Sequence, residues 1–284
     1  MPERPRPPAV AGQFYAADPA ELAHEVEACF LDPRGPGELP PRQRSPERKI
    51  RAAIVPHAGY RYSGPIAAHV YRELSKERPP AATLILGVDH HGTTNRAALS
   101  DRPWRIPFGP VEVDHLLVRS LARPPLTVDE SAHALEHSIE VQLPLLDYVM
   151  PHPLIAALTV PFGPFDALME IADVVRTAIE GRDVLLLAST DFSHYVPVSE
   201  AQRLDQHALD RILATDAGGL FRTVVDERIS MCGIAPTTVL LSLLKDDGSE
   251  PTLLRWGHSG EAETMKDVVG YAGVVWRSPV PLLS

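Results

Sequence analysis

Three short runs rich in histidine and aspartate each follow an apolar segment that reads as a buried strand. Ile50 to Val55 leads into Pro56-His57-Ala58-Gly59-Tyr60, and Thr83 to Val88 leads into Asp89-His90-His91-Gly92. Val184 to Ala188 leads into Ser189-Thr190-Asp191-Phe192-Ser193-His194. In an open α/β sheet, ligands bind in the crevice beyond the carboxyl ends of the strands. Three strands ending in histidine or aspartate therefore aim those groups at one crevice. The pattern points to a site, and to a metal site.

The rest of the chain supplies the elements such a sheet needs. Leu22, Val26 and Phe30 repeat at helical spacing over Pro19 to Phe30, with Asp18-Pro19 as cap and first turn. Prolines and glycines make residues 31–48 a loop. Ile50 to Val88 reads as a βαβ unit whose helix covers Pro65 to Leu74, with His57 and His90 at the ends of neighbouring strands. Trp104 to Val113, broken by Pro107, Gly109 and Pro110, reads as an edge hairpin. Glu136 to Val149 reads as a helix that Pro144 kinks or divides. Strands at Leu154 to Val160, Leu253 to Trp256 and Val268 to Trp276 alternate with helices at Phe165 to Ile179, Glu200 to Ala214, Gly219 to Val225 and Pro236 to Leu244. That alternation predicts a single three-layer α/β domain over residues 1–284, with a central, mostly parallel sheet.

Composition narrows the function. A net charge of -10 argues against nucleic acid and anionic membranes as partners, because both select basic surfaces. No apolar run approaches the ~20 residues that span a bilayer. Met1 to Pro8 has no hydrophobic core behind it and reads as lacking a secretory leader. Cys29 and Cys232 are the only cysteines, which excludes a disulfide framework and fits the cytoplasm. Cys29 lies on the first helix and packs as a small apolar residue.

Within the constellation, His57 and His90 occupy equivalent places after their strands and read as metal ligands. His91 points the other way and orients a ligand or substrate from behind. Asp191 and His194, three residues apart across a turn, suit a general acid/base in which the carboxylate fixes the imidazole tautomer. Cys232 precedes a helix. A helix N-terminus depresses a thiol pKa, so Cys232 reads as a metal thiolate, a nucleophile or a packing residue. In Glu136-His137-Ser138-Ile139-Glu140, His137 reads as lining the site, and the glutamates as supporting or capping groups. The chain holds no Walker loop, dinucleotide fingerprint or nucleophile elbow.

These motifs resemble the Memo family. The resemblance runs through Val10-Ala11-Gly12-Gln13-Phe14-Tyr15, Val55 to Tyr60 with Tyr62-Ser63-Gly64, and Gly87 to His91. It continues through Glu136 to Glu140 with Gln142-Leu143-Pro144, then Ser189 to His194, Cys232-Gly233 and Val269-Gly270-Tyr271-Ala272-Gly273. It implies a fold similar to the class III extradiol dioxygenases, which are non-haem iron enzymes. It also implies one transition metal ion held by His57, His90 and Cys232, with Asp191 and His194 in the same cleft. Those dioxygenases use two histidines and a carboxylate. A thiolate in that place suits copper or zinc as well as iron, so the fold alone does not license oxygenase chemistry.

Three expectations follow from the residues and the resemblance together. The first is a metal-dependent oxidoreductase of dioxygenase-like type, acting on a small molecule or peptide, with His194, Asp191 and His137 as catalytic groups. The second is a non-catalytic binding protein for a peptide, phospho-ligand or metal, as the link of animal relatives to phosphotyrosine peptides implies. The third is a metal-free enzyme with Cys232 as nucleophile. Bacterial and archaeal family members are often encoded beside a radical-SAM protein, which implies a functional link to such a partner.

Overall fold

Asp18 caps the first helix, α1 (Pro19–Leu31), by accepting from the backbone N–H groups of Ala20 and Glu21. Pro19 stands at the start of that helix, where its missing N–H has no helical acceptor to lose. The computed structural model describes residues 4–94 and 96–282. Residues 1–3, part of the Met1 to Pro8 start read above as leaderless, lie outside that range, as do 95 and 283–284.

The chain continues through β1 (Ile50–Val55), α2 (Tyr60–Ser75), β2 (Ala82–Gly87), β3 (Ala98–Ser100), β4 (Trp104–Ile106) and β5 (Gly109–Val113). Next come α3 (His115–Leu121), β6 (Thr127–Val128), α4 (Gln142–Val149), β7 (Leu154–Thr159), α5 (Phe165–Ile179) and β8 (Val184–Ser189). The last elements are β9 (His194–Pro197), α6 (Val198–Leu213), α7 (Ala217–Asp226), α8 (Ile234–Leu244), β10 (Glu250–His258) and β11 (Asp267–Arg277). Residues 32–49 contain no helix and join a strand only at Ile50.

The sheet order is β10-β11-β1-β8-β2-β7-β3-β6. Its centre, β1-β8-β2-β7, is parallel, with Ala53 beside Leu187, Ile85 beside Leu187 and Leu84 beside Ala156. Antiparallel strands flank that centre, β11 against β1 and β3 against β7. β4 and β5 form the expected hairpin, and β5 also runs parallel beside β7. Helices α1, α2 and α4 pack together on one face, and α3, α5, α6, α7 and α8 form a connected layer on the other. Every residue of β2 and β8 is buried between them, which explains their predominantly apolar composition. No described helix is long and apolar enough to cross a membrane.

Three expectations need correction. β1 and β2 are not neighbours, because β8 lies between them and pairs with both. Periodicity identifies strands but carries no information about a later strand inserted between two earlier ones. The helix expected from Pro65 begins at Tyr60 and passes through Pro65. The missing Pro65 N–H would leave the Arg61 carbonyl without its helical donor; Arg34 supplies one, with Nη1 and Nη2 each at 3.2 Å. Glu136 to Val141 is not helical, and α4 starts only at Gln142. Pro144 sits in its first turn, where N–H groups have no acceptor, so it neither kinks nor divides the helix.

Candidate metal centre

His57 lies one residue beyond the end of β1, after Pro56, is 1 % exposed, and belongs to a hydrogen-bond chain with one consistent proton assignment. The Pro56 carbonyl can only accept, so the Gln142 amide must present Nε2 to it, at 2.9 Å. The same Nε2 donates to Ser189 Oγ at 2.8 Å. Ser189 in turn donates its one proton to the Ser138 carbonyl at 2.6 Å. Ser189 Oγ must therefore accept from His57 Nδ1, 2.9 Å away. The proton sits on Nδ1, and the Nε2 lone pair is free.

Glu136 does the same for His90. Its carboxylate accepts from His90 Nδ1 at 2.9 Å and from the backbone N–H groups of His90, His137 and Ser138 at 2.8 to 2.9 Å. Burial alone would raise this carboxyl, but the His90 and backbone hydrogen bonds outweigh burial and hold it well below the usual carboxylate range. Gly87 makes room for this arrangement. A Cβ there would lie 2.5 Å from Ile139 and 2.7 Å from Ser138, so the turn carrying Glu136 can close over the end of β2. His91 turns away to the Leu135 carbonyl at 3.0 Å and does not line the cleft.

Cys232 arrives from the other helical layer. Gly233 opens α8 against Thr190, where a Cβ would fall 2.2 Å from the Thr190 Cβ, and its N–H donates to Thr190 Oγ1 at 3.0 Å. That close seat brings Cys232 Sγ to 3.3 Å from His57 Nε2 and 3.3 Å from the Asp191 N–H. The ligand atoms of His57, His90 and Cys232 all lie within 4.8 Å of one another. Metal–sulfur and metal–nitrogen bonds of ~2.3 and ~2.1 Å at a tetrahedral angle place the two ligand atoms about 3.6 Å apart. The donor set thus fits a transition metal ion, and the mixture of thiolate and imidazole suits copper, zinc or iron.

The thiol does not behave as its helix position led us to expect. Burial, and after it the Asp191 carboxylate, push the Cys232 pKa up, outweighing the Asp191 N–H. Burial, then His137 and His90, push the His57 imidazole well below its usual pKa. Burial raises Asp191 to about 6 and lowers His137 to about 4. The lobe is therefore rich in neutral donors, and a cation is the charge that would restore a thiolate there.

Asp191 and His194 line the same cleft, yet Asp191 does not orient the His194 ring. The Asp191 Oδ1 accepts from the His57 backbone N–H at 2.8 Å. His194 Nδ1 instead meets the carbonyls of Phe192 and Ser230, both at 2.7 Å, which leaves its Nε2 unprotonated in the neutral ring. His137 stacks on His90 with centroids 4.5 Å apart and meets Phe14 edge-on at 4.9 Å. The cleft encloses about 570 Å³, and Phe14, Tyr62, Met265, Val269 and Tyr271 form much of its other wall.

Several contributors escaped the sequence reading. Ser189 and Gln142 were visible only as parts of motifs, and their hydrogen-bond roles need the fold. Glu140, expected as a supporting or capping group, anchors the N-terminal arm. It accepts from Arg6 Nη1 at 2.7 Å, Tyr15 Oη at 2.7 Å and the N–H groups of Ala9 and Val10. The Phe14 carbonyl of that arm accepts from the Tyr60 N–H at 2.8 Å, which sets Phe14 against His137.

The fold and site define an α/β protein with a metal-competent His-His-Cys group at the carboxyl end of its sheet. The family model described as Memo-like protein matches residues 6–275, and the chain belongs to this family. A MEMO1 family protein of Methanopyrus kandleri is 39 % identical over 280 residues, covering 96 % of this chain and 99 % of its own. Another from Sulfolobus acidocaldarius is 38 % identical over 284 residues, covering 95 % and 98 %. Among solved structures, an uncharacterized protein from Escherichia coli K12 shares the fold. Its TM-score is 0.53 at 15 % identity, covering 80 % of this chain and 99 % of that one.

Proposed function

We propose that this Memo family member is a metal-dependent redox protein of oxygenase type that acts on a small molecule or peptide. His57, His90 and Cys232 hold the ion, with iron or copper favoured and zinc also accommodated by the donors. The observation that carries this reading is the protonation pattern. Two separate hydrogen-bond chains put the protons of His57 and His90 on Nδ1 and leave both Nε2 lone pairs free, in a group with Cys232 whose ligand atoms lie within 4.8 Å of one another. A bound iron or copper ion supplies electron transfer and activation of dioxygen or substrate.

The chain's own groups do the rest. His194 accepts or returns a proton at Nε2, and Asp191, poised near neutrality, holds one at its carboxyl. His137, neutral and stacked on His90, offers a further proton acceptor on the cleft wall. The apolar side formed by Phe14, Met265 and Val269 excludes water from bound substrate. A metal-free nucleophile is disfavoured, because a thiolate–imidazolium pair of Cys232 and His57 opposes the direction in which burial shifts both groups. A functional link to a radical-SAM protein, and residence in the cytoplasm, belong to the same proposal.

Elemental analysis of purified protein, repeated on His57→Ala, His90→Ala and His194→Ala, tests it. We expect stoichiometric metal in wild type, loss in the first two variants, and retained metal with lost redox turnover in the third. Metal-free protein with rapid Cys232 alkylation would sink the proposal.

A further inference from the structure

A second cleft, of about 260 Å³, opens at the amino ends of β1 and β8. These parallel strands carry His57 and Asp191 beyond their other ends, and six residues of strand span roughly 20 Å. The two clefts are therefore on opposite edges of the sheet. Arg48, Arg51, Arg182, Asp183, Asp247 and Ser249 contribute to the second one.

Its charge runs against that of the whole chain. Asp183 is engaged by two guanidinium groups, Arg48 and Arg78. Arg51 approaches Asp247 only to 3.6 Å, beyond hydrogen-bond reach. Arg182 donates to Ser120 Oγ at 2.9 Å and otherwise stands at the rim. Ser249 Oγ is buried without a hydrogen-bond partner among the described residues, an arrangement that costs free energy unless a ligand completes it. Among the described residues, three arginines, Arg48, Arg51 and Arg182, thus line the cleft with two carboxylates, Asp183 and Asp247, and one hydroxyl lacks a partner.

The donors reach the cleft from three different parts of the chain. Arg51 comes from β1, Arg182 from the connection between α5 and β8, and Ser249 from the connection between α8 and β10. A planar carboxylate offers acceptors in one plane, whereas a tetrahedral oxyanion offers them in several directions. Arginine forks match such oxygens well. We infer that this cleft binds a phosphate group, either inorganic phosphate or the phosphate of a small phosphomonoester. The inference is independent of the metal reading.

Calorimetric titration of the full chain with inorganic phosphate, and separately with glycerol 3-phosphate, tests this at constant ionic strength. We expect saturable binding of at least one of the two; the tighter ligand identifies the source. Arg51→Gln combined with Arg182→Gln weakens it about tenfold or more, and Ser249→Ala weakens it by a smaller factor. Circular dichroism and metal content serve as fold controls, and both stay unchanged. His57→Ala leaves phosphate affinity intact. The assignment is overturned by absence of binding for both probes, by affinity indifferent to the arginine and Ser249 variants, or by affinity lost in His57→Ala, which would place the anion in the metal cleft.

Discussion

The Ser189 hydroxyl lies 2.9 Å from His57 Nδ1, and its only proton is already directed at the Ser138 carbonyl. The imidazole proton is therefore placed by a serine that has none to give. Ser189→Ala removes this constraint and leaves His57 Nδ1 without its buried partner. Metal affinity, measured by competition with a chelator, should fall about tenfold to a hundredfold, as for other residues that orient a ligand. An unchanged affinity would show that the tautomer is set elsewhere.

Glu136→Ala tests the matching arm under His90. It leaves the N–H groups of His90, His137 and Ser138 without their acceptor, that of Ser138 in a buried position. The expected loss of stability is on the order of 3 kcal/mol in denaturant unfolding. Metal occupancy should fall as well. Glu136→Gln keeps an acceptor for His90 and should retain more of both properties than the alanine variant.

Metal uptake should release protons. Burial and Asp191 raise the Cys232 pKa, so the metal-free sulfur carries its proton at neutral pH; His57, shifted down, is already neutral. Binding therefore displaces about one proton from sulfur per ion, and affinity strengthens as pH rises. Calorimetry in buffers of different ionisation enthalpy measures the number directly. Cys232→Ser should bind soft or borderline metals more weakly and release no such proton. Release of no proton by wild type would contradict a raised thiol.

Alkylation separates the two cysteines. With metal bound, Cys232 should be protected, and a chelator should restore its reactivity, with a rate that climbs with pH above neutrality because the thiol is shifted up. Cys29, 4 % exposed and raised chiefly by its own burial, should label slowly in both states. Peptide mass analysis reads each site. Equal Cys232 labelling with and without metal would remove it from the ligand set.

The N-terminal arm offers a test away from the ligands. Glu140→Ala leaves Arg6, which is 5 % exposed, as a buried cation without its carboxylate. We expect a loss of about 3–5 kcal/mol. Limited proteolysis should cut between Arg6 and Tyr15 faster than in wild type. Resistance equal to wild type would mean that other contacts hold the arm.

Much of this site was legible because strand ends announce themselves. Predominantly apolar runs located β1, β2 and β8 to within a residue, and His57, His90, Asp191 and His194 just after them lie in one crevice. Helix α5 was bounded correctly from spacing alone. The failures have a common physical origin in groups whose partners are distant in sequence. Pro65 looked like a helix start because the Arg34 donors that rescue the Arg61 carbonyl lie far back in the chain. Glu136 looked helical because its real partner, His90, comes from another strand end. Cys232 looked acidic from its helix, but burial raises it, and so does the Asp191 carboxylate that sits beyond β8. His194 and Asp191 looked like a pair from their spacing, whereas backbone carbonyls hold the ring.

The insertion of β8 between β1 and β2 also fixes when the centre can exist. Both sheet partners of β1 are made late, at Val184–Ser189 and Asp267–Arg277. During synthesis, the segment bearing His57 emerges with neither flank available and waits as an unpaired apolar strand, the kind of exposed edge that invites aggregation. An ion bound by His57, His90 and Cys232 would be captured only by a chain synthesised past Cys232 and β8. On the proposed metal reading, loading would follow translation by topology, and a nascent or truncated chain lacking its last strands would have no centre to load.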